Sequence, residues 1–502
     1  MKRIILSLLF AALCTCSFGI NAVASQDDQV TITGNTITLA SFIKQVEAQS
    51  HYLFVYSTED VDINSKVTIS PIRKTVAQCL VEALNNTNLK YVYENNYIIL
   101  TTQSPEYLTV SAKVTDLETN EPLASASVYL SNRVISIVTN GEGYFQLKFP
   151  VKYIDESVIV SYLGYTSKGT SIRTLLSGKD NIIALKAIVY NLNPVHINIS
   201  DGLGLVSQAL AKISDNYPSH NMQMTSYYRE MIKKGRSYVT LTEAVLDINK
   251  APYNNYGSKD QIAIFKGRGS VDTKKIDTLF VKFRGGMKSA LDIDIAKYPF
   301  LGVDRALIGN HYTFTKGQTT VIDGKNHHIV FFQQNPGDEQ MLFSGKLYIE
   351  EKSLAITRIE FSMNVEEYPD QAIDLLLKKK PAGMKAKFLY AKYIVQYKEI
   401  NGKWLFNYCR SELKFDSKWD RKLFKDTYTI VSEMAVTEYS DNDYKIPYDK
   451  RVKYNDITLD KVSDFKDDNF WEEYNIIEPE YSIEQVLTRI TKQLQKREKN
   501  RL

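Results

Sequence analysis

Two long runs rich in β-branched and aromatic residues meet at Asn401-Gly402, and this feature constrains the fold more than any other in the chain. Residues 387–399 precede the dipeptide and residues 404–415 follow it. Asn-Gly favours the positive-φ turn that joins two antiparallel strands directly. The pattern therefore predicts a long hairpin, and with it an antiparallel sheet in this part of the chain.

Two further pairs of β runs lie upstream of this hairpin. Residues 321–322 and 328–332 flank an Asp-Gly dipeptide, and residues 342–349 and 355–362 form the second pair. The composition agrees with this pattern, because 33 Tyr, 21 Phe and 3 Trp favour strands over helices. We predict a mainly β chain whose C-terminal part is a large, curved antiparallel sheet with accessory helices.

The length of the chain requires more than one hydrophobic core. A chain of 502 residues exceeds the roughly 250–300 residues at which single cores stop growing. Its hydrophobic fraction of 44% and charged fraction of 24% are those of ordinary globular domains. We predict a multi-domain protein with a small α+β domain at residues 30–103, a β-sandwich at residues 106–190 and the large β domain at residues 200–502.

The first 24 residues have the composition of a secretory signal peptide. Lys2 and Arg3 precede an apolar run over residues 4–16, and Ala22-Val23-Ala24 gives the small-x-small pattern of a cleavage site. We therefore predict a signal peptide at residues 1–24, an exported protein, and a location in the periplasm or at the outer membrane.

Two alternatives to cleavage follow from the same segment. An uncleaved anchor is disfavoured because the apolar run is shorter than the roughly 20 residues that a spanning helix needs. A lipoprotein is disfavoured because Leu13 and Thr15 precede Cys14 and Cys16, where lipoprotein processing requires a small residue. We predict no transmembrane segment in the mature chain.

Charge and cysteine content exclude two further classes of protein. The formal net charge falls from +4 to +2 without Lys2 and Arg3, so there is no electrostatic basis for binding nucleic acid. Only Cys79 and Cys409 then remain, in different predicted domains, and Cys79 lies on the apolar face of a predicted helix. We predict two buried thiols rather than a disulfide.

Residues 30–103 alternate short strands with two amphipathic helices. Apolar residues recur at helical spacing over residues 39–46 and 76–84, and Thr75 with Gln78 forms a capping box before the second helix. A hairpin turning at Asn95-Asn96 closes the segment. The predicted order is strand, helix, two strands, helix, hairpin.

This segment resembles the short N-terminal domain shared by secretins and TonB-dependent receptors. The resemblance is carried by Leu39-Ala40-Ser41-Phe42-Ile43, Leu53-Phe54-Val55-Tyr56, Thr75-Val76-Ala77-Gln78-Cys79-Leu80-Val81-Glu82-Ala83-Leu84, Tyr91-Val92-Tyr93 and Tyr97-Ile98-Ile99-Leu100. It implies a domain that docks onto protein partners in the periplasm, so a partner from the envelope is expected to bind through residues 30–103. A plain structural spacer is the alternative.

Residues 106–190 alternate short β runs with turn residues, which is typical of a small β-sandwich. The segment resembles the carboxypeptidase regulatory-like domain, with anchors in order at Val114-Thr115-Asp116, Glu121-Pro122-Leu123, Thr139-Asn140-Gly141-Glu142-Gly143-Tyr144-Phe145 and Ser161-Tyr162-Leu163-Gly164-Tyr165. Ala112 stands where that family usually has glycine. The resemblance implies a structural or adhesive module without peptidase residues.

Residues 200–502 show two weaker resemblances. The pair Gly345-Lys346-Leu347-Tyr348-Ile349 and Ala355-Ile356-Thr357-Arg358-Ile359-Glu360 resembles strands of the lipoprotein-carrier type fold, which implies a sheet able to hold an apolar ligand. The whole region resembles an uncharacterised envelope domain of unknown function, through segments such as Tyr227-Tyr228-Arg229-Glu230 and Phe470-Trp471-Glu472-Glu473-Tyr474-Asn475. An amphipathic helix, capped by Ser482, is predicted to end the domain.

No catalytic, cofactor or metal site is predicted. The chain has no His-Glu-x-x-His, Gly-x-Ser-x-Gly or P-loop motif. His327 and His328 would point to opposite faces of a strand. Asp292 and Asp294 would share a face if extended, yet an incidental pair is favoured over acid-base chemistry. Residues 202–207 lack the third glycine of a dinucleotide loop and are interpreted as a linker between domains, and residues 378–381 are interpreted as an exposed loop.

The leading hypothesis is a non-enzymatic envelope protein. In it a docking domain and a sandwich spacer present the large β domain for protein interaction at the outer membrane. The second hypothesis is a periplasmic carrier that holds a lipid or another apolar ligand in the C-terminal sheet. A hydrolase of unfamiliar design is the third, and it is disfavoured because no set of nucleophile, base and orienting group is visible.

Overall fold

The computed structural model describes residues 28–57, 61–85, 87–102, 106–188, 199–255, 257–271, 286–298, 300–376, 383–420, 423–441, 445–453, 456, 458–464, 470–471, 474–481 and 483. The chain divides into two compact units, residues 1–106 and 107–502. The predicted mainly β, multi-domain fold class is confirmed, because most described elements are strands gathered into several sheets. The predicted signal peptide, all of the predicted terminal helix except Ile483, and residues 378–381 lie outside the described residues.

The first unit has two helices and three small sheets. Its elements are β1 (Gln29–Val30), β2 (Thr36–Thr38), α1 (Leu39–Glu47), β3 (Leu53–Tyr56), β4 (Lys66–Thr68), β5 (Lys74–Thr75), α2 (Val76–Leu84), β6 (Leu89–Glu94) and β7 (Tyr97–Thr102). The sheets are β1-β5, β2-β4 and β3-β7-β6, and β3 runs parallel to β7. The capping box predicted at Thr75 and Gln78 is present, so the start of α2 is specified locally.

The second unit begins with a sandwich of two sheets. Its elements are β8 (Tyr107–Asp116), β9 (Ser127–Leu130), β10 (Ser136–Val138), β11 (Tyr144–Pro150), β12 (Ser157–Ser161), β13 (Lys168–Ser171), α3 (Ile172–Ser177) and β14 (Ile182–Leu185). The sheet orders are β10-β9-β12-β13 and β11-β8-β14. Before β11 the Asn140 side chain accepts hydrogen bonds from the backbone of Glu142 and Tyr144, and Gly143 takes a φ of 81°. These features reverse the chain where the sequence predicts a turn.

A single large sheet dominates the rest of the second unit. Its elements are α4 (Ile199–Ala211), α5 (Ile213–Asn216), β15 (Met222–Lys234), β16 (Ser237–Lys250), β17 (Gln261–Val271), α6 (Gly286–Asp292), α7 (Ile308–His311), β18 (Tyr312–Ile322), β19 (Lys325–Gln334), β20 (Phe343–Glu350), β21 (Ile356–Met363), α8 (Pro369–Leu376), β22 (Met384–Ile400), β23 (Lys403–Trp419), β24 (Asp426–Ser440) and β25 (Ser463–Asp464). The strand order is β18-β19-β20-β21-β22-β23-β24-β15-β16-β17-β25, antiparallel except for the short pair β17 and β25.

The predicted hairpin at Asn401-Gly402 is the longest strand pair of this sheet. Asn401 and Gly402 have φ values of 50° and 76°, and Ile400 faces Lys403 across the turn. Asp323 and Gly324 make the same kind of turn, with φ values of 52° and 74°. Two-residue turns with positive φ match the twist of antiparallel strands, which explains why both hairpins could be predicted from sequence.

The two faces of the large sheet are covered differently. The helix face is covered by α4, α6 and the chain around α7, whose apolar side chains form one buried cluster with the strands. The sandwich face is covered by the β-sandwich and by residues 470–471 and 474–477, which share a second buried cluster with Tyr227, Val245, Tyr408 and Ala435. The sandwich and the large sheet therefore belong to one packed unit.

The sandwich face also carries a row of buried charges, hereafter the charge row. In the strand register Arg268, Glu243, Arg229, Glu433 and Arg410 lie directly opposite one another on β17, β16, β15, β24 and β23. Their ion pairs measure 2.9 Å from Arg268 to Glu243, 3.1 Å from Arg229 to Glu433 and 2.6 Å from Arg410 to Glu433. Because the sign of the charge alternates from strand to strand across the five strands, each charged side chain lies opposite a charge of the other sign.

The last described segment crosses this face. Asn475 exchanges two hydrogen bonds with the backbone of Lys148 on β11, at 2.8 and 2.9 Å. Arg229 donates from Nη1 to the carbonyl oxygen of Ile477 at 3.2 Å, and Ile477 is buried. The segment thus joins the sandwich edge to the charge row.

We predict that Glu433→Gln destabilises the second unit by about 3 kcal/mol, because it removes the carboxylate that pairs with the buried Arg229 and with Arg410. Burial alone would raise the pKa of Glu433, but these two guanidinium groups outweigh it and lower the pKa to about 2. The stability that this carboxylate contributes is therefore present above its unfolded pKa of 4.5 and is lost as the pH falls toward 2.

Urea unfolding followed by tryptophan fluorescence measures this effect, because Trp404, Trp419 and Trp471 all lie in the second unit. The difference between wild type and variant should be largest near neutral pH and should shrink under acid. Glu367→Gln, at an exposed position, is the matched control. Equal unfolding midpoints for Glu433→Gln and wild type at neutral pH would show that the charge row does not stabilise the sheet.

Candidate interaction surfaces

The sheet β3-β7-β6 of the first unit has one buried face and one exposed face. Ile98 and Leu100 point into the core and are 0% and 1% accessible. On the other face Leu53, Val55, Val92 and Tyr97 are 46%, 46%, 55% and 42% accessible. We call this side, together with the half-buried Ile99, the exposed sheet face.

The strand register makes the exposed sheet face continuous. Val55 and Val92 lie on either side of Ile99, and Leu53 lies beside Tyr97. Charged residues stand only toward its ends, where Glu94 faces Tyr97 and Lys90 faces Thr101. A contiguous apolar patch on a soluble domain is typical of a protein interaction site.

A shallow groove on the outer side of α2 is a second surface feature of the first unit. It is lined by Lys74, Ala77, Gln78, Val81, Glu82 and Asn85. Val81 is 60% accessible, and Glu82 is held by hydrogen bonds from Lys74 and Ser70. Most of the lining is polar, so the groove is a weaker docking site than the exposed sheet face.

In the second unit the sandwich contacts the large sheet through polar groups. Arg133 pairs with Asp323 at 2.7 Å and donates to the carbonyl oxygen of Glu399 at 3.2 Å. Tyr129 donates its hydroxyl to the same Asp323. Ser136 donates to the carbonyl oxygen of Val436 at 2.9 Å. These contacts fix the sandwich on the sheet by directional bonds as well as by apolar packing.

Lys398 lies beneath this contact and is 5% accessible. Its Nζ atom has no hydrogen-bond partner among the described residues and sits 5.5 Å from the ring of Tyr129 and 4.9 Å from that of Tyr439. Burial, together with the charge of Arg133, lowers the pKa of Lys398 well below its usual range. An amine buried without an acceptor is destabilising, and it is the kind of group that functional sites contain.

His327 and His328 do not form a metal site in the described structure. His327 is buried on β19, its Nδ1 lies 2.8 Å from the carbonyl oxygen of Lys325, and burial lowers its pKa to about 4. Within the described residues there is no group of three His, Cys, Asp or Glu side chains that could hold a metal ion.

Asp292 and Asp294 do not share a strand face, so the premise of an extended pair is wrong. Asp292 ends α6, and Asp294 follows it in a turn and is fully buried. Asp294 accepts hydrogen bonds from the hydroxyls of Tyr253 and Tyr397 at 2.8 and 2.7 Å, and pairs with Lys250 at 2.6 Å. These partners satisfy the carboxylate and give it a structural role on the helix face.

Residues 202–207 lie inside α4, so the interpretation as a linker between domains is wrong. Gly202 is required there, because a Cβ atom would stand 2.6 Å from the carbonyl oxygen of Phe314. The helix thus packs closely on β18. Cys79 and Cys409 are buried thiols, as predicted.

Comparison with known families confirms the identity of the sandwich. Residues 110–197 match the family described as the CarboxypepD_reg-like domain. The family match covers only this part of the chain. No curated protein sequence matches the chain. The resemblance of residues 30–103 to the secretin and TonB short N-terminal domain stays a prediction.

Three solved structures are similar to parts of this chain. A DUF1329 family protein from Desulfovibrio piger is 13% identical, with 49% of this chain and 95% of that chain covered and a TM-score of 0.21. A LolA superfamily protein from Nitrosomonas europaea is 10% identical, with coverage of 49% and 96% and a TM-score of 0.17. The ferripyoverdine receptor of Pseudomonas aeruginosa is 9% identical, with coverage of 84% and 60% and a TM-score of 0.14. These scores are too low to establish a shared fold.

Among the residues that the structure describes, no helix is long and apolar enough to cross a membrane.

We predict that Lys398→Met stabilises the second unit by about 1–3 kcal/mol at neutral pH, because methionine fills the site without burying an unpaired amine. The pKa of Lys398 is depressed in the folded state, so folding releases a proton and wild-type stability rises as the pH approaches the unfolded value of 10.5. The advantage of the variant should therefore narrow at alkaline pH.

Urea unfolding at neutral and alkaline pH tests this prediction, with Lys352→Met at an exposed position as the matched control. A destabilised Lys398→Met protein would show instead that the amine makes a contact that the sandwich depends on.

Proposed function

We propose that this chain is a non-enzymatic protein of the bacterial cell envelope that docks an envelope protein partner through the exposed sheet face. The observation that carries the proposal is the contiguous apolar surface of Leu53, Val55, Val92, Tyr97 and Ile99 on an otherwise well-packed domain. Such a surface is costly to leave in water unless a partner covers it.

The organisation of the chain supports this function. The first unit resembles the short N-terminal domain of secretins and TonB-dependent receptors, which implies partner docking in the periplasm. It is followed by a sandwich that matches the CarboxypepD_reg-like family, a resemblance that implies a structural or adhesive module. Export by the predicted signal peptide would place these modules in the envelope, where such a partner would be met.

The carrier hypothesis remains the second candidate for residues 200–502. A carrier needs an apolar cavity on one face of the sheet. Here α4, α6 and the chain around α7 place their apolar side chains on the helix face, within the same buried cluster as the strands. This packing favours the docking function, and the experiment below separates the two.

We predict that a photo-crosslinking residue at position 53 or 92 gives one discrete cross-linked product in cells, and that the same residue at position 182 does not. Ile182 is a matched control, because it is 65% accessible but lies in the sandwich. With the partner identified in this way, Leu53→Asp with Val92→Asp should weaken the purified complex about 30-fold or more, as expected for two central interface residues.

The double variant should keep its stability within about 0.5 kcal/mol of the wild type, because both positions are exposed. Native mass spectrometry of the mature protein completes the test. A stoichiometric lipid that is lost when apolar residues of the helix face are changed would establish the carrier. Absence of a specific cross-link at positions 53 and 92, with no bound lipid, would refute both functions.

A further inference from the structure

A pair of apolar side chains protrudes from one hairpin of the large sheet. Leu423 and Phe424, between β23 and β24, are 90% and 83% accessible, more than any other large apolar residue in the described part of the chain. They project beyond the last strand pairing, at which Ser417 faces Asp426. No feature of the sheet itself requires an apolar residue at this position.

Other hairpin ends lie at the same end of the sheet. β22 begins at Met384, which faces Trp419 at the end of β23. β15 ends at Lys234, which faces Tyr428 on β24 and Ser237 on β16. Gly235 donates its backbone N–H to the carbonyl oxygen of Thr427 at 2.9 Å. Five neighbouring strands, β22, β23, β24, β15 and β16, therefore have ends at this end of the sheet, together with the β23–β24 and β15–β16 turns.

Basic residues occupy the strand ends and turns at this end of the sheet. We call the group the basic tip, and its members are Lys234, Arg236, Lys385, Lys387, Lys418, Leu423, Phe424 and Lys425. Of the nearby acids, Asp416 pairs with Lys425 at 2.6 Å and Asp426 pairs with Lys234 at 3.0 Å. Asp420 is the third, so the tip keeps a net positive charge.

Two of these lysines repel each other in the isolated chain. Lys385 and Lys418 are directly opposite in the register of β22 and β23, and both are exposed. Like charges placed opposite each other destabilise a sheet. An anionic surface would remove this cost by binding between the two ammonium groups. The half-buried Trp419 beside them is of the residue type that favours a membrane interface.

We propose that the basic tip binds the surface of an anionic lipid bilayer, with Leu423 and Phe424 inserted among the headgroups. A protruding apolar pair gains from entering the interface, while lysines reach lipid phosphates from flexible stems. Charge complementarity favours anionic lipid, because each lysine near the surface raises the affinity for it about fivefold. A protein partner would need an apolar pocket that matches the shape of these two side chains, whereas a fluid bilayer rearranges around them.

Vesicle flotation of the mature protein tests this proposal. The protein should bind vesicles of phosphatidylcholine mixed with phosphatidylglycerol, should release at high salt, and should not bind phosphatidylcholine alone. Leu423→Ser with Phe424→Ser should weaken binding at least tenfold, and Lys385→Glu with Lys418→Glu about tenfold or more. Tyr448→Ser is the matched control, because Tyr448 is 75% accessible and lies beyond the opposite end of β24.

A second measurement reports insertion directly. The emission of Phe424→Trp should shift to the blue with anionic vesicles and stay unchanged with neutral ones. The proposal is overturned if the wild type does not float with anionic vesicles, or if serine at both apolar positions leaves binding intact. It is also overturned if a soluble acidic polypeptide binds the tip as tightly as vesicles do while the Phe424→Trp emission does not respond to lipid.

Discussion

Five charged side chains lie side by side across the sandwich face of the large sheet, and the arrangement of the second unit depends on their mutual satisfaction. Each of the two carboxylates, Glu243 and Glu433, lies between arginines of neighbouring strands, so a shift of register between β15 and β24 would separate the buried Arg229 from Glu433. Tyr408 donates to Glu433 at 3.0 Å and also contacts Ser125 of the sandwich at 3.3 Å. The same row thus fixes strand register and anchors the module above it.

This anchoring explains why the sandwich is more than a spacer between domains. Its apolar core continues into the sheet through Tyr227, Tyr408, Trp471 and Ile477, so separating the modules would expose a shared buried cluster. Arg268 also stacks 5.0 Å from the ring of Trp471, which ties the last described segment to the end of the charge row. Apolar burial supplies the main attraction, and the directional bonds select one orientation.

The sequence predicts those features that neighbouring residues determine. Capping at Thr75 and the turns at Asn401-Gly402 and Asp323-Gly324 depend on contacts within a few residues. The role of Asp294 could not be predicted, because its partners Tyr253, Tyr397 and Lys250 are distant in the chain. The helix over residues 202–207 was missed because two glycines disfavour a helix, whereas close packing on Phe314 requires one of them. Their β-branched and aromatic residues mark residues 53–56 as a strand, but the sequence does not show which face of that strand a partner could reach.

The exposed sheet face and the basic tip differ in how ordered a partner must be to cover them. Val55, Ile99 and Val92 are held at fixed spacing by three paired strands, so a matching surface must itself be ordered, as a folded protein is. Leu423 and Phe424 stand on a turn among lysines and present no concave shape to match. Only a partner that deforms around them can bury both apolar side chains and still meet the surrounding charge, and a lipid surface has that property. The exposed sheet face and the basic tip would therefore not compete for one partner.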